Sequence, residues 1–403
     1  MSKPTSGRKL SRRNLLKLSG GSLAAATGPR WLTELSSTGL RPQGGANAAD
    51  AAPDVRLGVT DGWIYLPPTP AIPQIHPDPL APPPFTTYFV GLRDVTGLKD
   101  DRIARQQNKA QYPAPLFWTK QGVPTWLQFT NLSPATPNGE GLAYAYNAHE
   151  PGSYIYHYHL QGAEQFHAGM SGLLLVRPAQ DGDTSYYPSG RYVCNDGDGS
   201  TGYDREFVML LSEVWTTARR ADADVQLPQG RTGRGDFFLL NGRVYPDTLA
   251  PNGGGTDPGS GDLLPPPPRS GEPAGMYAHL QYQPLSSLVQ CNAGERVLLR
   301  FANLGFKRQP MILAGIEMEV VCRNATLLRG GAGQGIPIGA RETIDAIFTA
   351  PAYQGPGPFD TYLLYNPGLS RANNLSPSGF SGQMTEVRVF PSGTLGAQTG
   401  PNG

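Results

Sequence analysis

The sequence predicts an all-β fold of two tandem β-sandwich units, and three observations carry that prediction. Glycine and proline supply 91 of the 403 residues (51 plus 40), while only 16% are charged. That balance suits short strands joined by tight turns, not helices with salt-bridged faces. Second, Gly122-Val123-Pro124-Thr125-Trp126-Leu127-Gln128-Phe129-Thr130-Asn131-Leu132 shares its pattern with Gly294-Glu295-Arg296-Val297-Leu298-Leu299-Arg300-Phe301-Ala302-Asn303-Leu304. A Leu and a Phe two residues apart face one side of a strand, and the Asn closes it in a turn. Third, each copy leads to an alternating strand (Tyr154-Ile155-Tyr156 and Tyr362-Leu363-Leu364), a Gly-rich turn and a closing strand that reaches Pro178 or Pro391. A duplicated all-β unit is the simplest account.

The front of the chain reads as an address. Residues 1–48 hold eight of the 33 bases and one of the 32 acids, leaving 25 against 31, or −6, in the remainder. A mildly acidic body excludes a nucleic-acid footprint. Ser11-Arg12-Arg13-Asn14-Leu15-Leu16-Lys17 resembles a twin-arginine export signal; a weakly apolar stretch follows to Thr27, and Ala46-Asn47-Ala48 offers small residues to a signal peptidase. The expected destination is periplasmic or extracellular. The apolar stretch is too short for a bilayer anchor, and nothing later approaches that length.

The expected organisation is a signal peptide over 1–48, a first sandwich over 49–180, a linker over 181–203, a second sandwich over 204–392 and a flexible tail over 393–403. Residues 253–268 form a Gly/Pro tract ending in four prolines, too donor-poor for a sheet interior, and are expected to be a surface insertion. This tract and the Pro-rich approach around 63–84 are candidate partner surfaces. The three cysteines, Cys194, Cys291 and Cys322, permit one disulfide with one thiol left over.

Four of the six histidines fall within nineteen residues: His149, His157, His159 and His167. They sit in Pro151-Gly152-Ser153-Tyr154-Ile155-Tyr156-His157-Tyr158-His159, then His167-Ala168-Gly169-Met170-Ser171-Gly172-Leu173-Leu174-Leu175-Val176. The segment resembles the copper signature of multicopper oxidases, P-G-T-Y-x-Y-H-C-H followed by H-x-x-G-M-x-G-x-L-x-V. The resemblance implies two cupredoxin-like Greek-key sandwiches. It also implies that His157 and His159 match two ligands of the three-copper cluster, and that His167 and Met170 match the blue-copper His and Met. On a strand, two imidazoles two residues apart share one face, and the residue between them points the other way. That residue is Tyr158, where the family has its cysteine thiolate, and a phenol is a far harder, more basic ligand.

Other ligand positions depart as well. The family's H-W-H-G motif has no counterpart between Thr130 and Gly141, where the carrying segment is shortened. Its H-P-x-H-L-H-G-H motif reads here Gln309-Pro310-Met311-Ile312-Leu313-Ala314-Gly315-Ile316, so Gln309, Ile312, Ala314 and Ile316 replace every histidine. Three of these are apolar, and the expectation is a strand repacked into core. The resemblance implies eight histidines for a full three-copper cluster and two for the blue site; the chain has six, and copies of itself bring only the same six.

A mononuclear copper or zinc site at His157 and His159, with His149 as third ligand, remains open, while Met170 is expected to pack as core. The Asn195-Asp196-Gly197-Asp198-Gly199-Ser200 run lacks the distal glutamate of a good calcium loop and reads as a polar turn. The leading expectation is therefore an exported multicopper-oxidase-like protein with a degenerate copper centre, binding or scaffolding a protein partner in the cell envelope. One alternative is a mononuclear copper-binding or electron-relay protein. The other is a copper-dependent oxidoreductase subunit completed by a different chain.

Overall fold

The structure, a computed structural model, describes residues 53–68, 80–132, 141–157, 169–215, 235–328, 331–368, 370–371, 374 and 381–403. The expected signal peptide lies outside them. Nineteen strands are described: β1 (Val55–Ile64), β2 (Thr87–Asp94), β3 (Phe117–Lys120), β4 (Pro124–Asn131), β5 (Gly141–Asn147), β6 (Gly152–His157), β7 (Ser171–Arg177), β8 (Arg205–Val214), β9 (Phe237–Leu240) and β10 (Val289–Asn292). After these come β11 (Arg296–Asn303), β12 (Gln309–Leu313), β13 (Met318–Arg323), β14 (Thr326–Leu327), β15 (Ala332–Gly333), β16 (Gly335–Ile338), β17 (Thr343–Thr349), β18 (Asp360–Tyr365) and β19 (Met384–Phe390).

They form four sheets. Two draw only on the first half, in the orders β2-β1-β4-β5 and β3-β7-β6. Two draw on the second half, in the orders β14-β13-β17-β11-β8-β9, with β15 beside β13, and β10-β19-β18-β12-β16. The internal repeat governs the register. β1 runs parallel to β4 with Val55 opposite Leu127, and β8 runs parallel to β11 with Phe207 opposite Leu299. Likewise β6 sets Tyr154 opposite Leu174, and β18 sets Tyr362 opposite Val387. The two segments that share the Gly-to-Leu pattern, β4 and β11, thus hold equivalent places in equivalent sheets.

The copies differ in one place. Residues 132–140 connect β4 to β5, whereas residues 304–342 connect β11 to β17 and fold into β12 through β16. Two of these extra strands, β12 and β16, extend the fourth sheet beyond β18. In the first unit nothing described plays that part, so β6 ends its sheet.

Alternation along the strands stacks the four sheets. Leu174 of β7 packs in the first core with Leu57, Leu92 and Phe117, while its neighbours Leu173 and Leu175 point away. Those two meet Val208 and Leu210 of β8 and Ala302 of β11, making an apolar seam between the units. On β8 and β11 the opposite parity (Phe207, Met209, Leu299, Phe301) fills the large core of the second unit. The linker over 181–203 is packed against the second unit: Val193, Cys194 and Tyr203 meet Leu298, Val321 and Ile347 on the third sheet's outer face.

Two segments are held more firmly than the sequence suggests. The 253–268 tract is tied to the first unit, because Arg93 Nη2 donates to Gly261 O at 2.9 Å, Gln106 Nε2 to Ser260 O at 3.3 Å, and Lys109 pairs with Asp262. A proline-rich strand cannot join a ladder, but its free carbonyls serve as acceptors. The expected flexible tail is docked as well. Strand β9 covers β8 only over Leu211–Val214, which leaves the edge before it open. Side-chain amides close that edge: Gln398 Oε1 and Asn402 Oδ1 accept from the N–H of Glu206 and Val208 at 2.7 Å each, and Asn241 Oδ1 does the same for Leu210. The amide nitrogens of Gln398 and Asn402 return bonds to Glu206 O and Val208 O at 3.0 Å.

Candidate functional site

His157 is the last residue of β6, half-buried and opposite Ser171. It shares parity with Ser153 and Ile155, and Ile155 packs into the seam, so His157 belongs to the face turned toward the second unit. Tyr158, His159 and His167 lie outside the described residues. On the opposite face Tyr156 packs against Phe117 and donates its hydroxyl to Pro115 O; burial pushes its phenol well above the usual range.

The structure separates the remaining sequence candidates. His149 sits exposed in the turn before β6, its carbonyl accepting Gln121 Nε2 at 2.6 Å. Strand β6 lies between it and His157, and at ~3.3 Å per residue its five steps span about 16 Å. One ion cannot take both as ligands. Met170 is buried among Leu57, Leu92, Ala114 and Phe117 in the first core. His279 is spoken for by Asp247, 3.1 Å away. Among the described residues no three His, Cys, Asp or Glu side chains gather as a metal-binding group.

At the second unit's equivalent end, the repeat places Asn366 where the first unit has Tyr158, one residue past Tyr156-His157 and Leu364-Tyr365. It places Gln383 opposite Met170, since Gly169-Met170 and Gly382-Gln383 precede strands in matching register. Asn366 Nδ2 donates to Gln383 Oε1 at 2.8 Å, Gln383 Nε2 donates to Gln309 Oε1, and Gln309 Nε2 donates to Glu213 Oε1 at 3.0 Å. Gln383 Nε2 is also 3.1 Å from Leu239 O. Asn366, Gln383 and Gln309 are fully buried. Burial raises the Glu213 carboxyl above its usual range, against the opposing pull of Arg371 and the Gln309 bond. Neutral amides in this arrangement saturate one another; they offer neither the imidazole nor the thiolate that copper selects.

The other replaced positions correct the expectation of a repacked core. Ile316 joins the second core, but Ile312 and Ala314 are only half-buried. The strand alternation explains this: Gln309, Met311 and Leu313 take the inner face of β12, and Ile312 the outer.

The seam carries a buried charge cluster that the sequence pattern did not disclose. Glu206 accepts both Arg177 Nη1 and Nη2 at 2.7 Å and Arg300 Nε, while Arg300 Nη1 lies 3.3 Å from Asp345. Ser153 of β6 donates to Asp345 Oδ1 at 2.6 Å, and Thr343 donates to Ser153 O at 2.9 Å, so the cluster ties β6 to the second unit. Burial would raise Glu206, but two guanidiniums hold it down to about 2. Asp345, sharing only Arg300, stays raised by burial. The Asp196 run is a polar turn, as expected. Its carboxylate is consumed by the N–H groups of Asp198, Gly199 and Thr201 at 3.1, 2.9 and 2.6 Å.

No family model matches the chain, and no curated protein matches it. Solved structures do. A blue copper oxidase from Nitrosomonas europaea superposes with a TM-score of 0.53 at 15% identity, covering 83% of this chain and 85% of its own. The multicopper oxidase mgLAC gives 0.51 at 14% identity, covering 85% and 87%. The fold is that of a multicopper oxidase. At these identities the likeness is one of architecture, and within the multicopper-oxidase frame the chemistry depends on this chain's own residues. Asn366, Gln383 and Glu213 were not singled out from the sequence. Extending the repeat to set Gly382-Gln383 against Gly169-Met170 would have found two of them.

Proposed function

We propose that this chain is an exported protein of multicopper-oxidase fold whose redox copper centre has degenerated, and that it binds or scaffolds a protein partner in the cell envelope. The amide chain from Asn366 through Gln383 and Gln309 to Glu213 carries this reading. It fills, with mutually satisfied hydrogen bonds, the place where the second unit would otherwise converge ligands. Ligand supply agrees: six histidines are too few for the family's set, and the segment that would carry H-W-H-G is replaced by the short 132–140 connection. The complete copper set therefore does not fit these residues. The twin-arginine motif supports export, and among the described residues no helix is long and apolar enough to cross a membrane.

The second reading is a mononuclear copper or relay protein using His157 and His159. The position of His157 on a sheet-edge strand favours it over any site in the second unit. Metal analysis of protein produced with its export signal under copper-replete conditions separates the readings. The scaffold predicts well under one copper per chain, unchanged in a His157→Ala/His159→Ala double variant. One copper per chain that disappears in the double variant establishes the relay, and a blue sample that consumes dioxygen unaided overturns both.

A further inference from the structure

We infer that Cys194 and Cys322 form a disulfide in the mature protein, stapling the connecting segment to the second unit and leaving Cys291 as a lone buried thiol. The two Sγ atoms lie 3.3 Å apart although the residues are 128 positions apart in the chain. They meet inside a small apolar cluster with Val193, Tyr203, Leu298, Val321 and Ile347, and among the described residues the other hydrogen-bonding neighbour is Thr201 Oγ1, 4.0 Å from Cys194. Cys194 belongs to the 181–203 segment and Cys322 to β13, so both sit on the third sheet's outer face. Cys291 is on the fourth sheet and faces the core between the two sheets, its Sγ 3.8 Å from Arg388 O. The third sheet stands between it and the other pair.

The pair is chemically asymmetric. The Cys322 thiol hydrogen-bonded to Cys194, outweighing burial with help from Thr201, lowers Cys194 below the usual thiol range; Cys322 is raised by that same shared proton and by burial. Cys194 adjoins the turn at 195–200, where Asn195, Gly197, Asp198 and Ser200 are exposed, so it is the thiol nearer to an oxidant arriving from solvent. The oxidant is a small-molecule or protein disulfide. Cys194 loses its proton and displaces one oxidant thiolate to form a mixed disulfide. Cys322 then loses its proton and attacks Cys194 Sγ, releasing the second. Two protons and two electrons leave the pair, and one oxidant disulfide becomes two thiols. The closed loop contains β8 through β12 and joins the segment leaving the first unit to the far side of the second, so the bond restrains the unfolded chain over a long span.

The test is to incubate the whole protein with glutathione disulfide, alkylate in denaturant and map peptides without reduction. One alkylated thiol per chain, at Cys291, with Cys194 linked to Cys322, is the expected result. Three alkylated thiols, or a bond that includes Cys291, overturn the inference. Reductant should lower the unfolding midpoint of the oxidised protein by roughly 5 °C and leave a Cys322→Ala variant unmoved; equal sensitivity in both also overturns it. Should Cys322→Ala fail to fold, Cys291→Ala serves instead. Both of its thiols must disappear on oxidation, and two persisting thiols count against the bond.

Discussion

The two units share register strand for strand, yet they close their ends differently. In the second, the extra strands β12 and β16 continue the sheet past β18, and Gln309, Asn366, Gln383 and Glu213 knit the end of the sandwich into one hydrogen-bonded chain. In the first, the corresponding connection is too short for such strands, β6 is an edge, and the end holds half-buried His157 with Met170 packed behind. Among the described residues, side-chain amides close the second unit's end, whereas no strand pairs with the outer edge of β6 in the first.

The largest effect is expected at the seam that joins the units. Glu206→Gln leaves Arg177 and Arg300 facing a neutral amide, and should cost ~3–5 kcal/mol in denaturant unfolding. A cost below about 1 kcal/mol, typical of exposed pairs, would mean that the seam is solvated. Next come the matched positions. Gln383→Leu strands Asn366 and Gln309 without a partner and should cost about 2–3 kcal/mol, whereas Met170→Leu conserves volume and should cost under ~1.5 kcal/mol. Equal costs would dissolve the contrast between the ends.

Acid and base sharpen it further. Glu206 is held below its ordinary value, so the stability it contributes is present above pH ~4.5 and is lost as pH falls toward 2. Glu213 is raised, so its contribution has the opposite sign: present below pH ~4.5 and lost as pH climbs through its folded value. A Glu213→Gln variant should therefore lose less stability than wild type between pH 4.5 and pH 8, as read by unfolding at each pH. The smallest effect belongs to His149→Ala, which should change neither metal content nor stability by more than ~0.5 kcal/mol, since its ring is exposed and remote from His157.

Much of the architecture was legible in the chain. Leu127 with Phe129 and Leu299 with Phe301 announced two equivalent strands, and Tyr154-Ile155-Tyr156 announced the strand that presents His157. What was not legible is what side chains do across distance. The apolar letters at 312 and 314 suggested core, but strand parity turns Ile312 outward. The prolines of 253–268 suggested a free surface, but carbonyls at Ser260 and Gly261 found Gln106 and Arg93 on the first unit. Glu206, Arg300 and Asp345 lie 94 and 45 residues apart (206 to 300, then 300 to 345), and no local pattern marks such a cluster.

The edge of β8 closed by Gln398 and Asn402 has a consequence for handling the protein. Asn241 would still hold its part of the margin after a single cut, but the stretch at Glu206 and Val208 that Gln398 and Asn402 seal is loosened by one proteolytic clip near Gly396. The bared N–H and C=O groups would then recruit a strand from another molecule. Samples trimmed there should pass from one sharp band in size-exclusion chromatography to a ladder of aggregates, while still binding or failing to bind copper as before.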